Sequence, residues 1–191
     1  MNIILETRRL TLREFTEDDV DNLFDLNSDP EVMRYINGGR PTPREQLRDE
    51  IIPFYLAVYQ RLDRLGAWAA ESAPTGEFLG WFHFRPGPGT DITNIDLGYR
   101  LRKSAWNRGY ATEGSRSLID MGFTDLGVER MFGHTMTVNA ASRRVLEKCG
   151  LTLVRTTPWE GLAFEGSEHG EVEYALTKPE WEARAAGDAR D

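Results

Sequence analysis

The stretch Trp106-Asn107-Arg108-Gly109-Tyr110-Ala111-Thr112-Glu113-Gly114 is a glycine-centred turn that follows a strand-like segment, residues 92–101, and runs straight into a helix-like one. A strand, a tight turn and a helix start in that order present several backbone N–H groups with no intrahelical partner, the donor array that a phosphate or pyrophosphate needs. The turn therefore points to a phosphate-bearing cofactor.

Upstream, residues 67–71, 77–84 and 92–101 read as three strands separated by Pro74-Thr75-Gly76 and Pro86-Gly87-Pro88-Gly89, the pattern of an antiparallel meander. Downstream, Ala111, Ser115, Leu118, Ile119, Gly122 and Phe123 mark one helical face that ends at Leu126-Gly127. Residues 130–138 follow as a strand. Asn139 then caps a short helix with Ala141, Val145, Leu146 and Cys149 inward and Gly150 at its end. Residues 151–156 and 171–176 are the last two strands, separated by a polar, glycine-bearing loop with aromatic residues, 159–170.

Towards the N-terminus, alternation marks a strand from Leu10 to near Phe15, and Thr16-Glu17-Asp18-Asp19 resembles a capping box before a helix that carries Val20, Leu23 and Phe24 and stops before Pro30. Thr42-Pro43-Arg44-Glu45 combines a hydroxyl cap, a first-turn proline and a glutamate three residues after the cap. It opens a helix with Leu47, Ile51, Phe54, Tyr55, Val58, Leu62 and Leu65 on one face, which Pro53 should kink. Thr177-Lys178-Pro179-Glu180 caps a last helix around Trp181, with residues 185–191 as a frayed tail. Neither an internal repeat nor a long linker interrupts the pattern, so residues 1–191 read as a single domain.

A formal charge of −8 without a basic stripe argues against nucleic acid or anionic membrane as partner. The single Cys149 excludes an internal disulfide and a Cys-rich zinc site, and its surroundings suit a structural thiol. Ile3-Ile4-Leu5 is too short for a signal-peptide core and no segment approaches a membrane span, so a soluble cytoplasmic protein is expected. His83, His134 and His169 lack metal spacing, so no metal is expected, and no histidine is paired with an obvious nucleophile. Alternation puts His134 with Phe132, Met136 and Val138, as a core histidine. His83 lies with Leu79 and Trp81, and either a structural or a substrate role fits it.

In residues 92–101, Ile95, Leu97, Tyr99 and Leu101 share one face and Asn94, Asp96, Gly98 and Arg100 the other. Asp96 is therefore on the polar face of the strand that leads to the phosphate-binding turn. Two readings fit it, a solvated carboxylate and a base whose proton affinity burial raises. Asn139 and Ser142 lie one turn apart at the start of their helix; a helix cap explains the first, and a solvated hydroxyl or a proton donor to a leaving thiolate the second.

Three stretches in this order, 96–101 (Asp-Leu-Gly-Tyr-Arg-Leu), 106–114 and 139–151 (Asn-Ala-Ala-Ser-Arg-Arg-Val-Leu-Glu-Lys-Cys-Gly-Leu), resemble the GNAT superfamily of acyl-CoA-dependent N-acyltransferases. With the opening Glu6-Thr7-Arg8-Arg9-Leu10-Thr11-Leu12-Arg13 and the late Tyr174-Ala175-Leu176-Thr177, the chain looks like the branch of bacterial ribosomal-protein N-terminal acetyltransferases, and the resemblance spans nearly its whole length. It implies an α/β fold: a mixed, mostly antiparallel, seven-stranded sheet splayed in the middle, with helices on both faces and acetyl-CoA in the opening. The amides of Asn107, Arg108, Gly109, Tyr110, Ala111 and Thr112 should cradle the pyrophosphate, and Leu101 should pair with the pantetheine arm, with Asn139 and Ser142 on its other side. Trp106 stands where the family commonly has Gln or Arg, which removes one polar contact. The implied chemistry is direct attack of a primary amine on the thioester, with Asp96 accepting the proton, Ser142 protonating the thiolate and a backbone N–H near Leu101 steadying the carbonyl oxygen. His83, Glu160 and Glu165 are candidates for contact with the acceptor. That acceptor stays open among a protein N-terminus, a polyamine, an aminoglycoside and another small amine. A non-catalytic acyl-CoA-binding protein is the contrasting reading, and a homodimer is one possible assembly.

Overall fold

In the computed structural model, which describes residues 2–188, eight strands form one sheet. They are β1 (Ile3–Glu6), β2 (Leu10–Glu14), β3 (Gly66–Ser72), β4 (Phe78–Pro86), β5 (Asn94–Leu101), β6 (Arg130–Met136), β7 (Thr152–Thr157) and β8 (Glu171–Thr177), in the order β1-β2-β3-β4-β5-β6-β8-β7. The eighth strand is the apolar run Ile3-Ile4-Leu5, too short to be a signal peptide but long enough to pair with β2. The turn between these strands is held by Thr7, whose hydroxyl accepts from the N–H groups of Arg9 (3.2 Å) and Leu10 (2.9 Å).

All neighbours are antiparallel except β5 and β6. These run parallel and pair only where Asn94, Ile95 and Asp96 lie opposite Arg130, Met131 and Phe132. β5 continues to Leu101 without a partner on that side, so the sheet opens into a wedge in its middle.

Side-chain alternation on the strands divides the core in two. Trp68, Ala70, Phe82, Phe84, Ile95 and Leu97 pack against α5 (Tyr110–Asp125) and α6 (Ala140–Lys148) through Leu118, Ile119, Phe123 and Leu146, with Trp181 of α7 (Lys178–Asp188) stacked near Phe123. Gly114 lets α5 sit directly on the Phe82 ring, since any Cβ there would overlap it. On the opposite face, Ala67, Ala69 and Phe78 pack against Leu23 and Leu26 of α1 (Val20–Ser28), Val32 of α2 (Pro30–Asn37) and Ile52 of α4 (Ile52–Tyr59).

The N-terminal helices depart from the sequence reading in three ways. α2 is a separate helix with Asp29 as its cap, accepting from Glu31 N–H at 2.9 Å, and Pro30 in the first helical position. The next helical stretch opens as α3 (Arg44–Gln46) with Pro43, not Thr42, in the capping position. Pro53 does not break it; the five residues Leu47–Ile51 form a π-helical turn just ahead of the proline, which has no N–H to donate. At residues 16–19 the capping box is present, and Thr16 N–H donates to Asp19 at 2.9 Å.

His134 is also corrected. It shares a face of β6 with Phe132 and Met136, as the alternation implies, but is exposed, 3.4 Å from Glu173, and packs edge-on to Phe132 instead of entering the core. Cys149 is buried, and burial pushes its thiol up to about 11, as suits an inert thiol. Of the tail expected to fray, residues 185–188 continue α7 and residues 189–191 lie outside the described part. Among the described residues no helix is long and apolar enough to cross a membrane, and no cluster of three or more His, Cys, Asp or Glu gathers that would hold a metal.

Candidate active site

The ladder between β4 and β5 determines which backbone groups of β5 enter the wedge. Gly87 N–H donates to Asn94 O (3.2 Å) and Arg102 N–H donates to Leu79 O (2.8 Å), so the even-numbered residues of β5 bond to β4. The odd-numbered residues Leu97, Tyr99 and Leu101 therefore turn their N–H and C=O groups to the opening. Trp106 takes up one of these, its indole N–H donating to Leu101 O at 2.8 Å. A wedge ligand is thus left the Leu101 N–H but not its carbonyl, and the indole also closes the turn onto the strand end.

Below the wedge, Asn107 (φ 57°) and Gly109 (φ 82°) adopt left-handed conformations that bend the chain into α5. The first intrahelical bond runs from Glu113 N–H to Gly109 O (3.0 Å), and no side chain caps the helix, so the N–H groups of Tyr110, Ala111 and Thr112 have no helical acceptor. The β1–β2 turn braces this cradle. Arg9 Nη1 donates to Arg108 O at 2.8 Å, and Arg9 Nε and Thr7 Oγ1 both donate to the Glu113 carboxylate at 2.6 Å. Burial raises the Glu113 carboxyl, but these donors outweigh it and hold the group below its ordinary value, neutralised by Arg9. The exposed Arg108 guanidinium rests over the Tyr110 ring. Uncommitted helix-start amides beside two arginines suit a phosphate group.

Across the wedge, Asn139 caps α6 by accepting from Ser142 N–H (3.2 Å), which sets the Ser142 side chain on the first turn. The Tyr99 hydroxyl reaches over from β5 and lies 3.1 Å from Ser142 Oγ. Burial raises the Tyr99 phenol far above its ordinary value, against its hydrogen bond with Ser142, so it keeps its proton at neutral pH. The two hydroxyls form a hydrogen-bonded pair. Tyr99 was missed in the sequence because its alternation with Leu97 and Leu101 reads as core.

The other face of β5 carries Asp96, Gly98 and Arg100. His83 of β4 lies over Gly98, where a Cβ would come within 2.5 Å of the ring, and its Nε2 is 3.2 Å from Asp96 Oδ2. Burial pushes the Asp96 carboxyl up, but His83, Arg85 and His134 together outweigh it and hold it below the ordinary carboxylate value. A carboxylate so stabilised is a weak base.

Next to His83, Trp81 stacks on its ring and forms the floor of a half-open cavity of about 300 Å³ lined by α1, α2, α3 and α4, with Asn27, Ile36, Gln46, Tyr55 and Arg100 among its walls. The Arg100 guanidinium lies over the Trp81 ring and donates to Asn27 Oδ1 at 2.5 Å. Burial draws it down to about 10, still a cation at neutral pH. Neither Glu160 nor Glu165 lines this cavity; both are exposed, and Glu165 lies 3.5 Å from Arg34 of α2, where the 158–170 loop packs on that helix. Arg100 lies in the stretch 96–101, on the polar face of its strand with Asp96, whereas Tyr55 and Asn27 carry no motif.

Residues 9–152 match the family described as Acetyltransferase (GNAT) domain. The chain belongs to this family. It is an N-acetyltransferase of the GNAT fold, with eight strands where seven were expected. The FsC-acetyl coenzyme A-N(2)-transacetylase of Aspergillus fumigatus is 33% identical over 189 residues, which cover 93% of this chain and 77% of that protein. Two solved structures share the fold. RimL, the ribosomal L7/L12 alpha-N-protein acetyltransferase in complex with coenzyme A, has a TM-score of 0.77 at 19% identity over 92% of this chain and 98% of its own. Spermidine N-acetyltransferase from Vibrio cholerae, in complex with CoA and spermine, has a TM-score of 0.72 at 16% identity over 92% and 99%.

Proposed function

We propose that this GNAT member transfers the acetyl group of acetyl-CoA directly to the primary amine of a small acceptor held between β4, β5 and helices α1–α4. The observation that carries the reading is the two-sided wedge. On one side it is bordered by the α5 amides and the Tyr99–Ser142 hydroxyls, and on the other by a half-open cavity whose floor, Trp81, stacks on His83 of the His83–Asp96 pair. The donor, when bound, supplies an activated thioester carbonyl. The amides of residues 107–112 and the Arg108 side chain hold its pyrophosphate, and the N–H groups of Tyr99 and Leu101 are available to its pantetheine and carbonyl oxygens. Ser142 Oγ holds the proton that a departing thiolate needs, and Tyr99 replenishes it.

A protonated amine must lose a proton before it attacks. With its Nε2 turned to Asp96, His83 keeps Nδ1 for that proton, and Asp96 acts as a positioning residue that orients the imidazole. Free thiol released from acetyl-CoA, measured over a panel of small amines and peptide N-termini, tests the reading. The expected result is turnover with small amines ahead of peptides, because a cavity of about 300 Å³ ringed by α1–α4 is of small-molecule size. CoA binding without product across the panel would leave only a binding protein. His83→Gln is expected to lower kcat about 10²-fold; an unchanged kcat, read as thiol release at saturating acetyl-CoA, would take the base role from His83.

A further inference from the structure

Arg100 has an unusual environment for a cation. Its side chain comes off the central strand β5 into the cavity, where Nη1 bonds to the neutral Asn27 and Nε is buried with no partner. Among the described residues no aspartate or glutamate lines this cavity, and the other polar groups there, Tyr55, Asn37, Thr42 and Gln46, are uncharged. The contrast within the molecule is clear. The other well-buried arginine, Arg13, is matched to two carboxylates, Asp19 at 2.7 Å and Glu71 at 2.6 Å. A largely buried guanidinium without a counter-charge is unfavourable, and its planar fork is built for bidentate pairing with a carboxylate.

Position adds the second half of the argument. Arg100 follows Tyr99, whose backbone borders the wedge, and its aromatic floor Trp81 stacks on His83 with ring centroids 5.6 Å apart. A group bonded to Arg100 therefore lies on the same face of the sheet as the imidazole, beside the strand that borders the wedge. A cavity of about 300 Å³ is at the small end of the range for ligand sites.

Resting on the acetyl-transfer reading above, we infer that the acceptor is a small amine that also carries a carboxylate, an amino-acid-like molecule whose carboxylate Arg100 binds while its amine turns to the wedge and His83. The same buried cation repels polyamines, which have no anionic group to offer it.

Matched acceptors separate the inference from its parent. α-Amino acids with side chains of graded size, the corresponding amino-acid amides and the corresponding decarboxylated amines are compared for thiol release, and the N-acetylated amino acids and their amides are titrated calorimetrically into the protein to read binding without catalysis. The expected result is a preference for the carboxylate form in both assays. Arg100→Met should weaken the carboxylate ligands by on the order of 10²-fold, and the amides far less, with a melting temperature equal to or above that of the parent because an unmatched buried charge is gone. Arg100→Lys, which keeps the charge without the fork, should fall in between and carries the test if the methionine variant fails to fold. Equal or better use of amides or decarboxylated amines, or equal losses for both ligand classes in the variants, would overturn the carboxylate assignment and leave acetyl transfer intact. The absence of turnover with every amine would count against acetyl transfer alone, since the calorimetric arm still decides whether Arg100 selects carboxylates.

Discussion

A Gly109→Glu variant is expected to bind CoA on the order of 10²-fold more weakly than the parent, because placing like charges together costs several kcal/mol. The new carboxylate would stand in the exposed turn whose next three N–H groups have no helical acceptor, where it competes for the donors and repels a phosphate. Backbone strain contributes separately. Gly109 has φ 82° and a Cβ there comes within 3.2 Å of Arg9 Nη2, the movable end of a side chain, so the folding penalty is that of a left-handed non-glycine residue, about 1–2 kcal/mol. Gly109→Ala carries the same strain without the charge. Isothermal titration with CoA should find the alanine variant close to the parent and the glutamate variant far from it. Equal losses in the two would mean that turn geometry, not anion binding, sets the affinity.

The second large effect is on stability. Arg13→Ala is expected to destabilise the protein by about 3–5 kcal/mol at neutral pH, the usual consequence of leaving a buried charge unmatched. Arg13 grips the buried Asp19 with both Nη atoms, at 2.7 and 2.9 Å, and reaches Glu71 on β3, so it ties β2 and β3 to the helix that walls the cavity. Burial pushes the Asp19 carboxyl up, but Arg13, Thr16 and Asn22 outweigh it and hold the group below its ordinary value. Because the folded-state value lies below the unfolded one of about 3.9, the Asp19 contribution is complete above that pH and is lost as pH falls through the folded value. In Arg13→Ala the burial effect on Asp19 dominates, so protonation should become favourable and the deficit should shrink between pH 7 and pH 5. Urea denaturation at several pH values measures both. A deficit that stays constant or grows on acidification would show that Asp19 is not the group left unmatched.

The fold was legible where chemistry repeats with a period. Alternation in 92–101 and the glycine-centred turn after it marked β5 and the start of α5, and the Asn139 cap marked α6. What escaped was local or non-local competition. Ile3-Ile4-Leu5 is too short to declare itself a strand without β2 beside it, and the π-helical turn ahead of Pro53 answers to one missing N–H that no periodicity records. At the site, Asp96 and Ser142 could be named from their stretches, but their roles depend on contacts across the sheet. His83 is thirteen residues from Asp96 in sequence and 3.2 Å from it in space, and the Tyr99 hydroxyl meets Ser142 43 residues away. Arg100 could be placed on the polar face of β5 but not given a role, because its significance is the lack of a counter-charge, which only packing reveals.

Tyr99 and Arg100 are consecutive residues that face opposite sides of one sheet, so the sheet is also a partition between two separately adjustable halves. The wall beyond Tyr99 is built by α5 and α6, whereas that around Arg100 is built by residues 20–59 with the covering loop resting on α2. On the proposed reading, substitutions in the second set would reshape what is accepted while the first keeps its grip on the donor. New acceptor preferences can therefore be grafted onto this scaffold by exchanging one contiguous N-terminal segment and a single loop.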